Sequence, residues 1–101
     1  MKSYLNNLLN ESASESGRED ILKAIRELDQ FKAAADACNE EEASRAAFKA
    51  GMHLNMWLLD DAYYKDDKKT FEVKANRIAD MLEDLARATK TYWDERCRQR
   101  Q

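Results

Sequence analysis

The sequence has no proline and only two glycines, Gly17 and Gly51. These are the residues that most often end helices or build tight turns, so their scarcity argues against a turn-rich β fold and favours long helices. Histidine occurs once, as His53, and cysteine twice, as Cys38 and Cys97. The two cysteines lie far apart and lack the Cys-x-x-Cys spacing of a zinc or redox site, so the expectation is a pair of buried free thiols. No excess of either charge stands out, because 17 basic and 20 acidic side chains leave a net charge of −3. A mimic of DNA would be far more acidic, and a protein that wraps nucleic acid would be basic. No apolar run reaches the length of a membrane span, and the opening "MKSYLNNLLN" lacks the apolar core of a signal peptide. A cytoplasmic protein with no membrane association is therefore expected.

What the chain does contain is helix-forming sequence with helical periodicity. Its 101 residues suit one domain, in which roughly 65% of the unfolded surface can be buried. Tyr4, Leu5, Leu8 and Leu9 share one stripe of a short helix over about Lys2 to Glu11. Ser16, with Glu19 three residues on, reads as the capping box of a second helix. Ile21, Ala24, Leu28, Phe31, Ala35 and Cys38 form its seam, widened by Leu22 and Ile25. Asn39 and Glu42 then offer a cap for a third helix, with three carboxylates where the helix dipole favours them. One continuous helix across Asn39 is the competing reading, since no breaker intervenes. The third helix should stop near "YYKDDKKT", with Asp66 or Asp67 capping a fourth. The fourth has the cleanest seam: Phe71, Ala75, Ile78, Leu82, Leu85, Thr89 and Tyr92. The expected fold is an all-α bundle of about four helices, one short and three longer, mainly antiparallel and forming a single domain over 1–101.

The third helix is apolar on more than one side. At about 100° per residue, Ala47, Gly51, Leu54, Asn55, Leu58 and Ala62 gather on one side, with Phe48 and Leu59 at its edge, and read as the core face. His53, Met56, Trp57, Asp60 and Tyr64 form a second surface rich in residue types favoured at interfaces. Three uses of that surface follow: a partner protein binds there, the chain self-associates, or the first helix folds over Trp57 and completes the core.

Catalytic and metal chemistry find little support. No Ser or Cys stands at a spacing that would pair with His53, no Gly-rich phosphate loop occurs, and the Glu-x-x-His pattern of di-iron bundles is missing. His53 is followed by "LNMWLL" rather than the Lys and small residues of a phosphotransfer histidine. Asp61 and Glu72 are spaced like the ends of a calcium loop, but Tyr63 and Lys65 occupy ligand positions and Asp66 the turning glycine. No cofactor is expected. The leading expectation is a non-enzymatic module that blocks or escorts another protein, in the manner of small inhibitors of host defence, immunity proteins or secretion chaperones of a bacterial or viral cytosol. Its contact residues would be His53, Met56, Trp57, Asp60 and Tyr64, and a homodimer along helix three or four is a further expectation. A nucleic-acid-associated regulator is the alternative, using Arg87, Lys90, Arg96, Arg98 and Arg100 at the end of the fourth helix, where the dipole also favours cations.

Overall fold

The computed structural model describes residues 2–12 and 14–97. The chain forms four helices. Helix α1 spans Lys2–Glu11 and α2 spans Glu15–Asp36. Helix α3 runs over Glu40–Trp57, widens into a π turn at Leu58–Ala62 and finishes with Tyr63–Lys65. Helix α4 spans Lys68–Tyr92 and ends in a second π turn, Trp93–Cys97. A helix of 25 residues is about 37 Å long, and the molecule is correspondingly elongated, 48 × 23 × 19 Å.

The helix ends follow from local chemistry, with one correction. Asn39 accepts the Glu42 N–H at 3.2 Å, and Asp67 accepts that of Thr70 at 2.7 Å, so α3 and α4 start at side-chain caps. Helix α2 is capped by Ser14 rather than Ser16: the Ser14 hydroxyl accepts the Gly17 N–H at 2.9 Å. The start moves because Ser14 also donates to Asp61, a distant carboxylate that local spacing does not reveal. Between α2 and α3 the chain does turn. The Asn39 N–H donates to the Ala34 carbonyl and the Cys38 N–H to that of Ala35, the paired bonds of a Schellman motif. Cys38 occupies its left-handed position, with φ 56°, where glycine is usual.

Helices α2 and α3 form the closest pair. Ile21, Ala24, Leu28, Phe31 and Ala35 of α2 are buried, as the seam predicts, although Leu22 is exposed. On α3 the buried residues are Ala43, Ala46, Ala50, Leu54 and Trp57, continuing through Leu58 and Ala62. The core face is thus turned by roughly a quarter of the circumference from the expected one: Asn55 and Phe48 are exposed and Trp57 is interior. Alanines on α3 let its axis approach α2 closely, and Leu5 and Leu8 of α1 close over the far end to join Trp57 and Ile78. This is the third of the three arrangements, the short helix completing the core. Helix α4 packs less deeply, with only Ile78 fully buried among its described residues and Phe71, Ala75, Leu82 and Leu85 partly so.

The cysteines are not free thiols. Cys38 and Cys97 are joined in a disulfide, with Cα atoms 5.4 Å apart. It pins the end of α4 to the α2–α3 turn, a pairing of distant chain segments with no local sequence signal. Among the described residues no helix is long and apolar enough to cross a membrane.

Candidate functional site

With the alanine seam, Leu54 and Trp57 turned inward, four large apolar side chains of α3 remain outside. Phe48 is 73% exposed and Leu59 61%, and Met52 and Met56 are also exposed. Beside this face an open trough of about 680 Å³ runs between α3 and α4. Its floor and walls include Ala47, Gly51 and Phe48 from α3 and Leu82, Leu85 and Ala86 from α4, with Phe31 of α2 beneath. The polar groups lining it, Ser44, Asn55 and Thr89, do not titrate near neutral pH. Thr89 is already engaged, donating to the Leu85 carbonyl at 2.6 Å. Gly51 deepens the trough: a Cβ placed there would lie 3.7 Å from Leu82, an ordinary contact. Packing within the chain therefore does not require glycine at this position.

The expected contact residues separate. Trp57, the intended anchor, is 1% exposed and lies in the core, with the Lys74 ammonium 5.5 Å from its ring centre. His53 is half-buried, while Met56, Asp60 and Tyr64 are exposed. Asp20, which sequence spacing did not connect to this region, is buried and interacts electrostatically with both Asp60 and His53. Burial and the Asp60 charge raise its carboxyl above the usual range, against the opposing pull of His53. Tyr63 packs edge-on against Tyr64 and Phe71, with ring centres 5.2 and 5.7 Å apart. In the basic cluster, Arg87 pairs with Glu83 at 3.2 Å and with Asp84 at 3.7 Å. Lys90 is exposed. Arg96 falls in the terminal π turn, and Arg98 and Arg100 lie outside the described residues.

A polar clasp holds α1 and the start of α2 against the π turn of α3. Ser12 donates to Asp61 Oδ2 at 2.9 Å and Ser14 to Oδ1 at 2.7 Å. Burial pushes the Asp61 carboxyl up, but the hydroxyl bonds from Ser14 and Ser12, with Lys65 nearby, outweigh it and hold the group below its ordinary value. Gly17 is required here, because a Cβ would sit 2.7 Å from Ser12 Oγ and 2.9 Å from Asp61 Cβ. The Lys65 ammonium also donates to the Glu11 carbonyl. Lys74 meets Asp66 at 2.8 Å and Glu11 at 3.4 Å. Burial alone would lower its pKa, but Asp66 and then Glu11 raise it overall. The clasp seals the Trp57 end of the core and leaves the trough at the other end open. Among the described residues no group of three or more His, Cys, Asp or Glu side chains converges as a metal site.

No protein-family model, curated protein or solved structure matches the chain.

Proposed function

We propose that this chain is a non-enzymatic protein-binding module that blocks or escorts a macromolecular partner, and that an apolar segment of the partner seats in the trough between α3 and α4. The observation that carries this reading is the quarter-turn of α3: alanines face the core while Phe48 and Met52 stand exposed at the mouth of an apolar trough. Exposed aromatic and methionine side chains around a concavity are characteristic of helix-in-groove recognition. An open trough lined by alanine, glycine, leucine and phenylalanine, with few polar groups, suits a ridge of apolar side chains better than a small substrate awaiting acid–base chemistry. Relative to the expectation from sequence, the contact surface moves from Trp57 to Phe48 and Met52.

The cytoplasmic location belongs to this proposal with one condition. A reducing cytosol would keep Cys38 and Cys97 as thiols, whereas an oxidising compartment would keep them joined. Thiol titration of acid-quenched protein from its native source, unfolded in denaturant without reductant, distinguishes the two: two reactive thiols support the cytoplasm, and none supports an oxidising compartment.

The trough is tested by filling it from the solvent side. Ser44→Arg with Ala86→Arg changes two exposed positions, so stability should stay within about 0.5 kcal/mol per site. Wild-type protein should retain a specific protein from a lysate of the source cells, and the double variant should lose it while melting at nearly the same temperature. Equal retention by both would remove the trough from the interaction.

A further inference from the structure

We propose that the outward face of α3 is also the contact of a two-fold dimer of this chain, with the two copies of α3 antiparallel about an axis near Asn55. The inference goes beyond the trough, because it concerns the adjacent surface that carries Lys49, Met56, Leu59 and Asp60, all exposed. Phe48 and Met52 form the ridge between the two surfaces.

The argument is one of self-complementarity. A two-fold contact requires a patch that matches itself when one copy is reversed. A single register centred level with Leu54 sets Met52 directly against the partner's Met56, and Phe48 against the partner's Leu59 and Lys49 against the partner's Asp60 to within about a residue. The charges select the direction. Lys49 lies on the N-terminal side of the axis and Asp60 on the C-terminal side, so antiparallel pairing joins opposite charges twice, whereas parallel pairing would oppose Lys49 to Lys49 and Asp60 to Asp60.

Neither residue has an ion-pair partner among the described residues. The Asp60 charge moreover acts, after burial itself, to disfavour the charged form of Asp20. A lysine from a second copy relieves that repulsion.

From Phe48 to Tyr63 the strip is about 22 Å long. That is small for a stable interface, so the dimer forms with a dissociation constant of roughly micromolar order.

The test is sedimentation velocity on the full chain through a dilution series spanning that range, with charge-reversed variants. Lys49→Glu and Asp60→Lys should each weaken dimerisation roughly tenfold, since attraction becomes repulsion at two symmetry-related pairs. The double variant K49E/D60K should restore it, because the exchange recreates both pairs with the signs reversed. Circular dichroism of each variant confirms that the helices remain. A wild type that stays monomeric throughout overturns the proposal, as does a double variant no better than the singles. Neither result touches the trough reading, which rests on the arginine variants at positions 44 and 86.

Discussion

Gly17 and Gly51 make opposite demands although both lie inside helices. At Gly17 the space a methyl would need is already filled by Ser12, Ser14 and Asp61, so Gly17→Ala should destabilise the fold by about 1–3 kcal/mol. At Gly51 there is room, so Gly51→Ala should stabilise it by about 0.5–1 kcal/mol through helix propensity while making the trough shallower. Urea denaturation of the two variants side by side checks both signs. Asp61 predicts a pH dependence. Its carboxyl is depressed in the folded state, so its contribution is fully present above the unfolded carboxyl value and is lost as pH falls through the lower folded one. Asp61→Asn should therefore flatten the acid limb of a stability profile, and an unchanged limb would show that the clasp contributes nothing in solution. Trp57→Ala belongs with core truncations and should cost about 3–5 kcal/mol; it tests stability rather than partner binding.

At the scale of elements, α1 is the piece whose position matters most to the core. It is short, and its persistence depends on Leu5 and Leu8 packing beside Trp57 and on the Ser12–Asp61 bond. Leu8→Ala should cost about 2–4 kcal/mol, and in a Trp93→Phe background the fluorescence of Trp57 should shift to the red as water reaches its ring. Much of this layer was legible. The span of α1, the Asn39 and Asp67 caps and the α4 seam follow from stripe spacing and first-turn chemistry, which are local. The orientation of α3 was not legible, for a physical reason. The expected face, with Ala47, Gly51 and Ala62, and the one through which α2 and α3 approach, with Ala43, Ala46 and Ala50, are both lined by small side chains and share Leu54, so spacing on one helix does not choose between them. Burying the second leaves Phe48 and Met52 exposed. The C-terminal stop of α2 was partly hidden too, because Cys38 takes a left-handed position where glycine would have advertised the turn. Of the expected contact set, Met56, Asp60 and Tyr64 are indeed on the surface, whereas the trough depends on which helices adjoin and could not be read from one helix wheel.

The whole molecule is a helical bundle sealed at one end by the clasp and pinned at the other by the disulfide, with the trough left open near the pinned end. Closing a loop that spans 59 residues in sequence restricts the unfolded chain by about 4 kcal/mol on the chain-entropy account. Reduction, or replacement of both cysteines by serine, should therefore lower the denaturation midpoint by up to that equivalent. A midpoint that does not move on reduction would show that the pairing adds no net stability. The central claim is that α3 buries its alanine seam and Trp57 while leaving Phe48, Met52 and Met56 exposed. Hydroxyl-radical footprinting of the dilute protein, read residue by residue by mass spectrometry, tests it most directly. The account predicts rapid modification of Phe48, Met52 and Met56 with Trp57 protected until the chain unfolds; modification of Trp57 as fast as that of Met56 would contradict it.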